Sequence, residues 1–138
     1  MGFLNYWRKR EPEESQGELL KPEGDSTPVV NRAEPSRLST YHRLHGELKK
    51  RGASNRIHAQ INQLQNIEIL GDDHRQLYEE LGLTPGDRAK LPQEAKEALM
   101  VGDIAAFHQI MRDEAEGDSE LLESTYRGFK QARKLFPW

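Results

Sequence analysis

Two histidines have the spacing of a metal-binding pair. His42 and His45 lie three residues apart, so a helix would place both on one face, and imidazole nitrogens are common zinc ligands. A protein zinc site takes at least three side chains, but the nearest carboxylate, Glu47, would lie on another face of that helix. We therefore predict that both histidines lie in solvent or at the edge of a core, and that the chain holds no metal.

Acidic clusters occur at three places where carboxylates could act as a general acid and base. They are Asp72-Asp73-His74, Glu79-Glu80 and the set Asp113, Glu114 and Glu116. The first follows Gly71, where an aspartate is typical of a helix cap. The other two fall on polar helix faces, without an apolar pocket that would raise a carboxyl pKa. We expect all three clusters to be structural or solvated.

Sequence motifs of common active sites are missing from the 138 residues: GxxxxGK[ST], GxGxxG, GxSxG and HExxH do not occur. The chain also has no cysteine, which excludes disulfides, thiolate metal sites and cysteine nucleophiles. No apolar run approaches the ~18 residues of a membrane span, and we expect no secretory leader. These features predict a protein that is not an enzyme, binds no cofactor and is located in the cytoplasm or a virion.

The first 35 residues differ in composition from the rest. Residues 1–10 place apolar side chains directly before a basic triplet: Phe3, Leu4, Tyr6 and Trp7, then Arg8, Lys9 and Arg10. Residues 11–35 contain four prolines, which is typical of a flexible extended arm. We predict that 1–10 is a peptide that docks on a protein partner through these seven side chains. The alternatives are that it folds back on its own domain near Phe136 and Trp138, or touches a membrane surface.

Residues 36–138 have the apolar spacing of an all-α domain, a small bundle of short helices. The predicted helices cover 36–51, Ser54 to Gly71, Asp72 or Asp73 to Gly82, Pro92 to Gly102, Asp103 to Gly117, and Asp118 or Ser119 to Pro137. A brief turn begins at Thr84. The side chains predicted to face inward are Leu38, Tyr41, Leu44, His45, Leu48, Ile57, Ile61, Leu64, Ile67, Leu77, Tyr78, Leu81, Ala95, Ala98, Leu99, Ile104, Phe107, Ile110, Met111, Leu122, Tyr126, Phe129, Ala132 and Phe136.

Charge is segregated along the chain, although the net charge is only −3. Residues 36–58 hold six basic residues and one acid, whereas residues 59–126 hold fifteen acids and five bases. Residues 127–138 add four basic residues. Either the two basic helices neutralise the acidic segment within the fold, or the helix at 36–51 presents a cationic face to nucleic acid or an acidic protein. The candidate nucleic-acid contacts are Arg37, Arg43, Lys49, Lys50, Arg51 and Arg56. A whole-chain pI near 6.0 disfavours nucleic acid.

Two short segments resemble phage proteins. The opening MGFLNYWRKREPEE resembles the apolar-then-basic leader of some tailed-phage portal proteins, over fourteen residues. Leu81-Gly82-Leu83-Thr84-Pro85 is similar to a motif in one family of phage small terminase subunits. Both resemblances imply a place in a phage particle.

The sequence as a whole predicts a non-enzymatic helical adaptor or accessory structural protein of a larger assembly, such as a phage particle. It would bind protein subunits of that assembly through its N-terminal arm, with the helical domain at 36–138. The alternative is a nucleic-acid-binding module that uses the basic helix face at 37–56, for example in DNA packaging.

Overall fold

The structure is a computed structural model that describes residues 2–9 and 37–138, apart from the side chain of Arg37. Within these two ranges every regular element is a helix or a helical turn, which confirms the all-α prediction. The predicted proline-rich arm at 11–35 lies outside the described residues.

Six α-helices make up the described part of the chain. Helix α1 covers residues 3–9, followed by α2 (Arg37–Lys50), α3 (Asn55–Gln65), α4 (His74–Glu80), α5 (Gln93–Asp113) and α6 (Gly117–Arg133). A π-helical turn, Asn66–Leu70, extends α3 without a break, and a single 3-10 turn, Arg88–Lys90, precedes α5. The boundaries at residues 51–54, 71, 82 and 117 agree with the predicted helix stops.

The domain is built from two antiparallel helical hairpins, α2–α3 and α5–α6. They lie side by side with α2 next to α5: the hydroxyl of Thr40 donates to Asp103 at 2.9 Å. Just beyond the C-terminal ends of the same two helices, the guanidinium of Arg51 donates to the carbonyl of Ala115 at 3.3 Å. Helices α2 and α5 therefore run in the same direction, and so do α3 and α6.

The two hairpin turns are bonded to each other. The Gly117 N–H donates to the Arg51 carbonyl at 3.0 Å. Asp118 accepts both the N–H and the hydroxyl of Ser54, each at 2.8 Å. These hydrogen bonds lower the pKa of Asp118, because they stabilise its charged form. Ser54 thus begins α3 as predicted, but its hydroxyl ties the two hairpins together instead of capping the helix.

The predicted helix break at Gly102 and Asp103 is wrong, because α5 is continuous from Gln93 to Asp113. Gly102 is buried in mid-helix, where a Cβ would lie 3.2 Å from the Gln65 amide nitrogen and 3.3 Å from the Ile69 side chain. The glycine thus provides room for α3 and its π-helical turn. Asp103 caps nothing and lies in the core, at 1% exposure.

Several side chains predicted to face inward are exposed. They are Leu38, Ile67, Met111 and Tyr126, with 55%, 40%, 45% and 37% of their surface accessible. In α6 the small residues Ser124, Thr125 and Gly128 are buried beside Leu121 and Phe129, and Tyr126 is not. The reason is close packing of α5 on α6: a Cβ on Gly128 would lie 2.6 Å from the Ala106 Cα. At this point of closest approach the two helices leave no room for a larger side chain between them.

Substituting Gly128 and Gly46 with alanine should change stability in opposite directions. Gly128→Ala should lower the free energy of unfolding by about 1–3 kcal/mol, because its methyl group would overlap the α5 backbone. Gly46 is inside α2, and a Cβ added there would meet no atom within 4 Å, so Gly46→Ala should raise it by about 1 kcal/mol. Urea unfolding of both variants measures this, and shifts of the same sign would contradict the packing described.

Candidate functional site

The first ten residues lie on the chain's own domain, as far as the structure describes them. Phe3 is fully buried and its ring makes a T-shaped contact with Trp138, with centroids 4.9 Å apart. The Trp138 indole N–H donates to the Ile69 carbonyl at 2.8 Å, and Leu4 is also buried. This is the fold-back arrangement. The docking prediction assigned the apolar surface around Phe3 and Leu4 to a partner, whereas here the chain itself supplies that surface.

Backbone contact between two glycines makes this fold-back possible. A Cβ on Gly2 would lie 2.6 Å from the Leu70 carbonyl oxygen, and one on Gly71 would lie 2.8 Å from the Gly2 Cα. Gly71 also has a φ of +113°, in the region that favours glycine. Only residues without side chains allow α1 to start so close to the end of the π-helical turn.

The outer side of α1 is held by polar contacts. The Tyr6 hydroxyl donates to Glu94 at 2.9 Å, and Arg8 forms an ion pair with Glu80. Trp7 is half-buried and Lys9 is exposed, so these two remain accessible on the surface. Arg10, the last of the seven predicted docking residues, lies outside the described part of the chain.

The cationic side chains of α2 are divided between internal contacts and solvent. Arg51 bonds Glu47 at 2.6 Å, and the Arg43 guanidinium lies 4.1 Å from the centre of the Phe107 ring. Lys49 and Lys50 are exposed, as is Arg56 at the start of α3, whereas the side chain of Arg37 lies outside the described residues. The predicted nucleic-acid face is thus only partly available, because Arg51 is held by its own chain.

His45 pairs with a residue that the sequence pattern did not single out. Its Nδ1 lies 2.7 Å from Nδ1 of His58 on α3, whereas His42 is exposed. The pKa of His45 is lowered to about 4, chiefly by burial and also by the positive charge of the nearby His58 and Arg88. A nitrogen–nitrogen hydrogen bond needs one ring to accept, so neutral His45 stabilises the α2–α3 hairpin. Among the described residues, no group of three potential ligands could hold a metal ion.

Acid should destabilise the fold through His45. Its folded pKa, about 4, lies below the ordinary value of 6.5, so protons bind preferentially to the unfolded chain as the pH falls from about 6.5 to about 4. One such proton lowers the free energy of unfolding by up to about 1.4 kcal/mol per pH unit. His45→Gln should remove this part of the slope in urea titrations, and His42→Gln should retain it. Equal slopes for the two variants would contradict the role of burial.

The three acidic clusters have different partners. Asp72 is exposed, and Glu80 is the ion-pair partner of Arg8. Asp113 accepts hydrogen bonds from Ser124, Arg127 and Gln109, which lower its pKa to about 2. Its carboxylate therefore stays charged as the pH falls toward 2, and its hydrogen bonds join α5 to α6.

A buried polar network that was not predicted from the sequence crosses the core. Gln65 donates to Asp103 at 2.8 Å and accepts from Arg88 at 2.7 Å. Arg88 also donates to the Asn62 carbonyl and the Asn66 side chain. The network joins α2, α3, the π-helical turn, the 3-10 turn and α5. The sequence does contain a signal for this network. A helix places Leu99, Asp103, Ala106 and Ile110 on one face, and three of the four are apolar, so the Asp103 carboxylate is expected in the core.

An apolar groove of about 570 Å³ lies between α3 and α6. Its lining residues are Gln60, Gln63, Leu64, Ile67, Ser119, Leu122, Glu123 and Tyr126. The groove exists because Gln65, not Leu64, occupies the buried face of α3, while the small residues of α6 face α5. The larger side chains, Leu64 and Ile67 on one wall and Leu122 and Tyr126 on the other, are left beside the helix–helix contact.

Comparison with protein-family models, with curated proteins and with solved structures gave no match. In the ranges 2–9 and 37–138, no helix has the length and apolar character needed to cross a membrane. Functional interpretation therefore depends on the residues of this chain.

Proposed function

We propose that this protein is a non-enzymatic helical adaptor or accessory structural protein that binds subunits of a larger assembly. The observation that supports it is the groove between α3 and α6, where Ile67 and Tyr126 are 40% and 37% exposed beside Leu64 and Leu122. Contiguous exposed apolar side chains are typical of interaction sites. A phage particle is the assembly that the two short sequence resemblances favour.

The proposal moves the main docking surface away from the N-terminus. Phe3 and Leu4 contribute to the core, so their exposure to a partner would require α1 to leave the domain. Trp7 and Lys9 are accessible and can add a second, smaller contact next to the ion pair of Arg8. The groove needs no such rearrangement, because its apolar side chains are already uncovered.

Disrupting the groove should release the protein from its assembly. In extracts of the cells in which it is naturally made, we expect the native chain to elute from gel filtration in a large complex. Ile67→Glu should elute as free protein, because a charge would be buried at the contact. Met111→Glu is the matched control, since Met111 is 45% exposed on α5 outside the groove. Identical elution of the native chain and both variants would refute an adaptor that uses this surface.

The nucleic-acid alternative is tested by DNA binding of the native chain and of a variant with Lys49 and Lys50 changed to alanine. It is supported by the exposed Lys49, Lys50 and Arg56, and opposed by the fifteen acids of residues 59–126. Binding of labelled duplex DNA should be weak and should vanish at physiological salt if the adaptor proposal holds. Tight binding that falls steeply with salt, and that is lost when Lys49 and Lys50 become alanine, would favour the alternative.

A further inference from the structure

Asp73, which directly precedes α4, has a carboxylate oxygen buried next to the start of α1. Among the described residues, this Oδ1 atom has no hydrogen-bond partner. Nor does the side chain cap α4, as far as the structure describes that helix. The Arg8 guanidinium bonds Glu80, which raises its pKa, and the charge of Asp73 has only a smaller effect on it. Because a buried carboxylate oxygen without a donor is costly, a positively charged donor beside Asp73 would stabilise the fold.

The backbone nitrogen of Gly2 lies beside this carboxylate. A Cβ built on Gly2 would lie 2.8 Å from Asp73 Oδ1 and 2.6 Å from the Leu70 carbonyl oxygen. Because a backbone nitrogen and the Cβ of the same residue are about 2.5 Å apart, the Gly2 nitrogen is within about 5 Å of Asp73 Oδ1. A Cβ built on Gly71 would lie 3.7 Å from the same nitrogen and 3.1 Å from the same oxygen. Opposite charges at such a separation attract strongly where water is excluded.

A peptide nitrogen at Gly2 is neutral, whereas a free amino group there carries the positive charge that suits Asp73. Hydrolysis of the peptide bond between Met1 and Gly2 produces that group. The oxygen of a water molecule adds to the Met1 carbonyl carbon, which becomes a carboxylate, and the Gly2 nitrogen takes up protons to become an ammonium. Aminopeptidases that remove methionine before a small residue catalyse this step. An ammonium has more than one N–H donor, so it can bond both Asp73 and the Leu70 carbonyl.

We propose that the bond between Met1 and Gly2 is cleaved in the mature protein, and that the Gly2 ammonium forms a buried ion pair with Asp73. The pair holds α1 on the domain, because the Gly2 carbonyl accepts the Tyr6 N–H at 3.4 Å and thus belongs to the first turn of α1. Phe3 follows directly and is fully buried. Retention of Met1, or acetylation of Gly2, leaves the nitrogen neutral, and α1 is then held less tightly.

Mass spectrometry of the intact protein, purified from the cells in which it is naturally made, tests the cleavage. We expect a chain that begins at Gly2 and has a free amino group. A chain that retains Met1, that carries residues before Met1, or that is acetylated at Gly2 overturns the proposal.

Amide hydrogen exchange of Tyr6, followed by NMR, tests the ion pair, because this N–H loses its bond to the Gly2 carbonyl when α1 leaves the domain. The chain that begins at Gly2 is compared with one that retains Met1, made while the aminopeptidase is inhibited. Retention of Met1 should speed the exchange at least about tenfold, because the buried carboxylate loses its counterpart. This comparison needs no substitution. Equal exchange rates in the two chains overturn the ion pair.

Substitution of Asp73 shows whether the amino group acts through this carboxylate. Asp73→Asn should speed Tyr6 exchange at least about tenfold in the chain that begins at Gly2, and by less than about twofold in the chain that retains Met1. Asp72→Asn is the matched control, since it removes an exposed carboxylate one residue away and should have little effect in either chain. Equal acceleration by Asp73→Asn in both chains would show that Asp73 acts independently of the amino group, which overturns the ion pair.

Discussion

The buried polar network centred on Gln65 is the constraint on which the rest of the domain depends. Arg88 and Asp103 are 7% and 1% exposed, and each would be costly to bury alone because a charge loses its hydration. Gln65 joins them, since its amide oxygen accepts from Arg88 while its amide nitrogen donates to Asp103. Thr40 supplies a further hydrogen bond to Asp103, so the network fixes α2 and α5 relative to α3.

This network also explains why a groove is left at the surface. With Gln65 directed into the core, Leu64 and Ile67 are rotated to the side of α3 that faces α6. Close packing at Gly128 has a similar effect in α6. Small residues lie where α6 meets α5, and Tyr126 lies outside that contact. Because α3 buries a polar residue and α6 buries small ones, apolar side chains of both helices are left uncovered in the groove between them.

Helix type and most helix ends could be predicted from the sequence, because periodic apolar residues and glycine stops are local signals. The buried faces could be predicted only in part, since their edges depend on partners that are distant in the sequence. Because Asp103 follows Gly102, the sequence alone suggests a helix cap. Its hydrogen bonds to Thr40 and Gln65, which are distant in the sequence, make it a core residue. Fold-back of residues 1–10 near Trp138 was one of the alternatives, and choosing it required knowing that the Gly71 backbone lies beside Gly2 and that Phe3 packs on Trp138.

A double-mutant cycle between Arg88 and Asp103 tests the central role of the network most directly. The free energy of unfolding in urea is measured for Arg88→Met, Asp103→Leu and the double variant. Each single change should cost about 3–5 kcal/mol, because it leaves a buried charge without its counterpart. The double variant should cost less than the sum of the two by about 1 kcal/mol or more, since the two residues act through Gln65. Additive losses, or single losses below about 0.5 kcal/mol, would contradict the account.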